Sequence, residues 1–292
     1  MGILIIVFAS ILFGVYPSIQ KNVLSYGVSP IALVMICNGV ACLVSLALCK
    51  LQKKKIRVSK KQLRDLVLIG AFGLFTTDLL LDIAYNMIPV GYVTMIHFLY
   101  PSLVCIVMVL FFGEKMTSNK IIAITMSIIG LVLLAGGSFS GSFAGIIIAG
   151  ITALTYVFYM IASDKTSASE VDPLVRVFYT NLTVAILGMI LVPVTKASFP
   201  STGILWGQAV LVGFMLCMAI FLLNFGIKLV GAGKASFINM LEPVTSLVVS
   251  VLVYHYTVSV RAFIGCILIL GAMFFASKKS KEIETKKSDI AA

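Results

Sequence analysis

Ten long apolar runs dominate this chain and leave little sequence between them. About 20 mostly apolar residues are needed for one helix to cross the hydrocarbon core of a bilayer. The runs that approach or reach this length are, in order, 3–20, 29–49, 66–87, 90–112, 119–137, 143–163, 174–195, 205–228, 234–255 and 260–277. Only 11% of the residues are charged, against about 25% in a typical soluble domain. The sequence therefore predicts an all-α integral membrane protein with ten transmembrane helices, numbered span 1 to span 10.

The basic residues indicate how these spans are oriented. The net charge is +11, and the longest connection, residues 50–64, contains eight Lys or Arg. With both termini in the cytoplasm, 18 of the 22 Lys and Arg fall in cytoplasmic loops and the tail, and three in outer loops. Because cytoplasmic loops are enriched in Lys and Arg, we expect a multi-pass protein of the cell (plasma) membrane with cytoplasmic termini. Clustering at span ends argues against nucleic acid as the partner, and a lipid-recognising patch is the alternative interpretation of the basic loop.

An internal repeat divides the spans into two groups of five. The stretch "IHFLYPSLVC" at 96–105 has the same form as "INMLEPVTSL" at 238–247, so Pro101 corresponds to Pro243 after a shift of 142 residues. The predicted units are a first five-helix repeat at 1–137, a linker at 138–142, a second repeat at 143–277 and a basic, disordered tail at 278–292. Since five is odd, the two repeats cross the membrane in opposite directions. Inverted repeats are typical of secondary transporters, whose substrate binds near the midplane between the repeats.

The chain at this point resembles the drug/metabolite transporter superfamily, EamA type. The resemblance rests on the two five-span halves, each with a proline after a polar or aromatic run in its fourth span. It also rests on "PSLVCIVMVLFFGEKMT", in which Pro101 is followed by an apolar run and then Gly113 and Glu114. The second half departs from this pattern, with His255 and Tyr256 where Gly-Glu would fall. We interpret Glu114 as structural, because a carboxylate suits the start of a helix.

The resemblance implies a ten-helix fold that moves small metabolites or drugs, with the cavity walled by spans 1, 3, 4, 6, 8 and 9. Members of the superfamily handle amino acids, nucleosides and choline-like cations, so the family does not fix the substrate.

Three acidic residues lie within the apolar runs, and such residues are functional candidates by default. Asp78 and Asp82 are four residues apart in span 3 and share one helix face, and Glu242 lies near the middle of span 9. The sequence places no Lys or Arg deep in a span, with Arg176 only at the edge of span 7. A cationic or zwitterionic substrate, a proton or water is therefore the expected partner. Helix-to-helix hydrogen bonds, or an interfacial position for Asp82, are the structural alternatives.

Seven further residues complete the predicted substrate site. Two polar or aromatic clusters precede the prolines, and aromatic faces can bind an ammonium group. Packing is the alternative for Tyr16, Tyr156 and Tyr159, and a helix-to-helix hydrogen bond is the alternative for His97. The residues are Tyr16, His97, Tyr100, Tyr156, Tyr159, Asn224 and Asn239.

The sequence thus predicts a secondary transporter of a small organic cation or amino-acid-like solute, working by alternating access, with proton coupling left open. An exporter of a neutral metabolite or drug, and a membrane receptor or assembly protein, are the alternatives. Neither the two histidines nor the six cysteines show metal-ligand spacing, and no phosphate-binding GxxxxGK[ST] motif occurs. We therefore predict no enzyme activity, no metal and no cofactor. Small-molecule substrate, lipid bilayer and possible protons are the predicted partners, and the oligomeric state stays open.

Overall fold

The computed structural model describes residues 1–85, 87–88, 90–135, 142–254 and 259–277. Within them, ten helices are long and apolar enough to cross a membrane, which confirms the predicted architecture. Spans 1 to 10 are Gly2–Ser25, Pro30–Leu51, Lys60–Tyr85, Tyr92–Phe112, Ser118–Ala135, Phe143–Lys165, Pro173–Thr195, Gly203–Val230, Ala232–Val253 and Val260–Ser277. Most of the predicted linker 138–142, the tail 278–292 and the His255–Tyr256 pair lie outside the described residues.

Span 3 begins six residues earlier than the apolar run predicts. Ser59 caps it: the Ser59 hydroxyl accepts a hydrogen bond from the Gln62 amide at 3.2 Å, and the Gln62 side chain accepts one from the Ser59 amide at 2.9 Å. This reciprocal capping box satisfies two amides at the helix start. Part of the predicted basic loop is therefore helical, because capping extends a helix beyond its apolar residues.

Spans 4 and 9 are interrupted near their prolines. Span 4 consists of the helices Val90–His97 and Tyr100–Phe112, with Pro101 in the first turn of the second helix. Span 9 consists of Ala232–Asn239 and Leu241–Tyr254. Proline lacks the amide proton that a continuous helix needs at that position. The helical hydrogen bonding is therefore interrupted at the same place in both halves.

Span 3 contains a π-helical turn, Ile69–Phe75, between the α-helices Lys60–Leu68 and Thr76–Tyr85. Two glycines bring this wide turn close to its neighbours. A Cβ on Gly70 would lie 2.8 Å from the Thr180 carbonyl oxygen in span 7, and one on Gly73 would lie 2.9 Å from the Tyr159 Cβ in span 6. Such turns are frequent at functional sites, and this one leads directly to Asp78.

The helices pack in a pattern that repeats when the two halves are exchanged. Span 1 packs against spans 8 and 9, and span 6 packs against spans 3 and 4; span 2 packs on span 7, and span 5 on span 10. The side chains repeat it too: the Ser10 hydroxyl donates to Asn239 Oδ1 at 3.1 Å, and Thr152 lies 3.0 Å from His97 Nδ1. A shift of 142 residues converts one pair into the other. An inverted repeat requires such relations, and it remains a prediction.

Candidate functional site

A small cavity lies among the helices of the bundle, and spans 1, 3, 4, 6, 8 and 9 all contribute to its wall. Its volume is about 50 Å³, enough for roughly four water molecules. Sites for drug-sized ligands have volumes of about 300–1,000 Å³, so passage of a solute requires the spans to move apart. Six predicted site residues line this cavity: Tyr16, Asp78, His97, Tyr156, Tyr159 and Glu242.

Two carboxyl groups from different halves of the chain face this cavity. Asp78 comes from span 3, one residue beyond Thr77, which also lines the cavity, and Glu242 comes from span 9. Both lie within electrostatic reach of Tyr16, and Asn38 of span 2 lies beside Asp78. Neither carboxyl takes part in an ion pair within the described residues. The cavity can therefore offer negative charge or protonatable groups to whatever enters it.

Asn239 connects the two interrupted helices behind the cavity. Its amide nitrogen donates to the Tyr100 hydroxyl at 3.0 Å and lies 3.4 Å from Glu242 Oε2. Its oxygen accepts from the Ser10 hydroxyl at 3.1 Å. Tyr100 and Asn239 are fully buried. They therefore support the Glu242 carboxyl from behind and do not form the cavity surface.

Aromatic rings form one continuous side of the site. The Tyr156 ring centroid is 4.6 Å from that of Tyr100 and 5.3 Å from those of His97 and Tyr159. Edge-to-face and tilted contacts of this kind hold rings in place. Since His97, Tyr156 and Tyr159 line the cavity, the structure brings three rings next to the carboxyl groups, an arrangement suited to an organic ammonium group.

Asp82 and Asn224 lie outside the cavity lining. Asp82 is buried, one helical turn from Asp78. Asn224 is fully buried in span 8, where its side-chain oxygen accepts a hydrogen bond from Arg176 at 3.2 Å. The structure thus places Asn224 next to a cation.

Arg176 is the residue that sequence reasoning undervalued. It lies in the first turn of span 7, which suggested an interfacial position, but only 1% of it is exposed. Arg176 therefore stays at the edge of span 7, as the sequence places it, but its side chain is buried, which the sequence analysis did not predict. Counting residues along a span gives the depth of a Cα atom, whereas an arginine head group lies several bonds away and its direction depends on the neighbouring helices. Its lone occurrence in an apolar run was the one available signal.

The sequence model described as the EamA-like transporter family matches residues 1–136 and again residues 143–278. The chain belongs to the EamA-like transporter family. It is 26% identical over 291 residues to an uncharacterized transporter, YvbV, of Bacillus subtilis (strain 168), covering 95% of this chain and 92% of that protein. An uncharacterized transporter of Archaeoglobus fulgidus is 24% identical, covering 76% of this chain and 80% of that protein. A solved crystal structure with 21% identity superimposes with a TM-score of 0.81, covering 94% of this chain and 98% of the other.

The two halves of this EamA-like transporter contact each other at both ends of the bundle. At the end carrying loop 52–59, called the basic end, Lys54 forms an ion pair with Asp172 at 2.6 Å. Burial disfavours the ionised Asp172, but hydrogen bonds from Lys54 and the Leu174 amide outweigh it and hold the Asp172 pKa below its usual range. At the opposite end the Ser29 amide donates to the Ser198 carbonyl at 3.0 Å. Each contact joins the first half of the chain to the second.

Proposed function

We propose that this protein is a secondary transporter that moves a small organic cation or an amino-acid-like solute through the central cavity by alternating access. The observation that carries the proposal is that Asp78 and Glu242, contributed by different halves, face one cavity without an ion pair within the described residues. A carboxylate in a low-dielectric site needs a compensating charge. An ammonium group satisfies this need, and the adjoining aromatic rings suit its apolar surroundings.

The position of the cavity supports alternating access. Spans of both halves line it, and contacts between the halves lie at both ends of the bundle, through Lys54 and Asp172 at one end and Ser29 and Ser198 at the other. Breaking one set of contacts while keeping the other would open the cavity to one side only. We place the basic end on the cytoplasmic side of the plasma membrane, since cytoplasmic loops are enriched in Lys and Arg.

A coupled proton is the second candidate partner of these carboxyl groups. Low dielectric favours the neutral form of a carboxyl group, so a proton and a cationic solute can compete for the same pair. Such competition would convert a proton gradient into solute movement. The Asn239 amide nitrogen lies 3.4 Å from Glu242 Oε2. It can donate a hydrogen bond to an oxygen atom of either the protonated or the ionised Glu242 carboxyl group.

The test is uptake into proteoliposomes with a panel of organic cations, amino acids and nucleosides, with and without a pH gradient. For a transported cation, Asp78→Asn and Glu242→Gln are expected to lower transport about tenfold or more, since hydrogen bonds to charged groups contribute about 1.5–3 kcal/mol. Glu114→Gln is the matched control, because Glu114 pairs with Lys120 at the basic end and does not line the cavity.

Three outcomes separate the alternatives. Transport of cations that depends on Asp78 supports the proposal, and dependence of the rate on the pH gradient that is lost in Glu242→Gln supports proton coupling. Transport of neutral solutes alone, unchanged in both variants, would replace the proposal with a neutral-solute exporter. Folding of each variant is checked by its elution profile in detergent.

A further inference from the structure

A buried arginine at the basic end of the cavity is not explained by the proposed cation site. Arg176 is 1% exposed. Its Nη1 donates to the Ser163 carbonyl at 2.8 Å and to Asn224 Oδ1 at 3.2 Å, and its Nη2 donates to the Ser169 carbonyl at 3.3 Å. Ser163 belongs to the last turn of span 6, whose carbonyls lack helical partners. Two of the three guanidinium nitrogens therefore hold the end of span 6 and the loop after it.

The charge of this arginine is not neutralised by a direct ion pair within the described residues. Its hydrogen-bond acceptors are all neutral oxygens. The carboxylates that act on it electrostatically are Asp164 and Asp172, but Asp164 pairs with Lys165 at 3.2 Å and Asp172 with Lys54 at 2.6 Å. A buried cation without a counter-ion is costly, so its surroundings favour the arrival of an anion.

Unused hydrogen-bonding groups surround the same place. Among the buried side-chain atoms without a hydrogen-bond partner in the part of the chain that the structure describes, four belong to Arg176 and residues near it: Arg176 Nε, Asn224 Nδ2, the Tyr159 hydroxyl and the Ser163 hydroxyl. The Asn224 amide lies next to the Tyr159 hydroxyl, but the pair does not reach hydrogen-bonding geometry. All four groups can donate, and buried polar groups are normally satisfied. A cluster of unused donors beside a positive charge has the composition of an anion site.

Tyr159 connects this cluster to the cavity. Its side chain lines the cavity and lies within electrostatic reach of both Arg176 and Asp78. It therefore lies between the unpaired cation and one of the unpaired carboxyl groups. The acidic groups Asp78 and Glu242 face the cavity, and the positive charge of Arg176 lies towards the basic end of the bundle.

We propose that Arg176, Asn224 and Tyr159 form an anion subsite that receives the carboxylate of the transported solute. The solute is then a zwitterion, with its ammonium group near Asp78 and Glu242 and its carboxylate at the basic end. This inference rests on the proposed transport function and adds a second contact point to the site. If Arg176 only held span 6 in place, the hydrogen bonds of its two terminal nitrogens would be explained. The lack of partners for Arg176 Nε and for the donors of Asn224, Tyr159 and Ser163 would not be.

The experiment measures ligand binding by thermal stabilisation of the full-length protein in detergent with matched probes. Each set contains an amino acid, its amide, the amine that lacks the carboxylate, and the carboxylate that lacks the amine; ω-amino acids with one to five intervening carbons test the spacing. Potassium acetate and chloride test small anions. The expectation is that the amino acid binds about tenfold or more tightly than its amide, as for one added hydrogen bond to a charged group.

Two variants decide whether the cluster is responsible. Tyr159→Phe keeps the ring and removes one donor, and Arg176→Gln removes the charge; both are expected to abolish the preference for the acid over its amide. Tyr26→Phe and Arg261→Gln are the matched controls, both at exposed positions towards the opposite end. Because Arg176→Gln can also loosen span 6, Tyr159→Phe keeps the test valid if that variant fails to fold.

The outcomes distinguish this inference from the proposed function. Amine binding with no preference for acid over amide overturns the subsite and leaves the cation site standing. Carboxylate binding that needs Arg176, without any amine binding, keeps the subsite and overturns the cation proposal. Stabilisation by acetate and chloride equal to that by the amino acid identifies an inorganic anion site and overturns the solute assignment, and no stabilisation by any probe rejects both proposals.

Discussion

The hydrogen bond between Tyr100 and Asn239 gives the most direct test of how the two halves are joined. Tyr100 lies in span 4 and Asn239 in span 9, so the bond of 3.0 Å crosses from the first half to the second. Both side chains are fully buried. Tyr100→Phe removes only the hydroxyl, and Asn239→Leu removes the bonds to Tyr100, Ser10 and Glu242 together. A double-mutant cycle isolates the energy of the shared contact.

The structure sets the expected magnitudes. Interhelical hydrogen bonds in membranes contribute about 0.6 kcal/mol on average and up to about 1.7 kcal/mol. Complete burial of both partners favours the upper part of this range, so we expect a coupling energy of about 1 kcal/mol. Asn239→Leu alone should cost about 2–4 kcal/mol, because it removes several contacts and leaves the buried Tyr100 hydroxyl without this partner. In the Asn239→Leu background, Tyr100→Phe should then cost almost nothing.

The assay is reversible unfolding in detergent of the wild type, both single variants and the double variant. A control cycle pairs Tyr100→Phe with Ser127→Ala. The Ser127 hydroxyl lies 3.4 Å from the Ser102 hydroxyl and donates to the Ile124 carbonyl, and it makes no hydrogen bond to Tyr100. The coupling energy of this pair should therefore be near zero. If Tyr100→Phe costs the same with and without Asn239, the bond does not form in the membrane protein and the described junction of spans 4 and 9 is wrong.

Two further predictions concern the basic end and the π-helical turn. Because the Asp172 pKa is lowered in the folded state, its ion pair stabilises the protein above the unfolded pKa of about 3.9 and is lost as pH falls through the folded value. Asp172→Asn should therefore lower the free energy of unfolding by up to about 1 kcal/mol at pH 7, in the range of surface pairs. Unfolding measurements at pH 7 and pH 3 test this. A cost that does not change with pH would show that the ion pair with Lys54 does not stabilise the protein. Gly73→Ala should cost about 1–3 kcal/mol by overpacking against Tyr159, whereas Gly150→Ala meets open space and should be nearly neutral. Equal melting temperatures for these two variants would refute the close packing at Gly73.

Part of the candidate site was predictable because the signals were local. Asp78 and Glu242 stand out as acids in apolar runs, and Pro101 and Pro243 mark the helix interruptions from the residue type alone. Other parts required partners far away in the sequence. Asn38, which lies beside Asp78, gives no local signal, because an asparagine in a span can bond its own helix or a neighbouring one.

Asp82 shows why a shared helix face does not imply a shared role. Asp78 and Asp82 are one turn apart, and the sequence predicts both as site residues. In the structure only Asp78 lines the cavity, while Asp82 is buried one turn further along span 3. The distinction depends on where spans 1, 4 and 6 cross span 3, and the spacing along a single helix contains no information about those crossings.

The sequence alone determined the number and approximate limits of the spans, because crossing a bilayer requires an apolar segment of fixed length. It also determined where spans 4 and 9 break, because proline prevents a backbone hydrogen bond wherever it occurs. Only the tertiary structure decided that Arg176 is buried, that Asn239 meets Tyr100, and that the two halves contact each other at both ends of the bundle. The contacts between the halves join helices more than 100 residues apart, and their placement is set by the simultaneous packing of all the helices and not by any one segment.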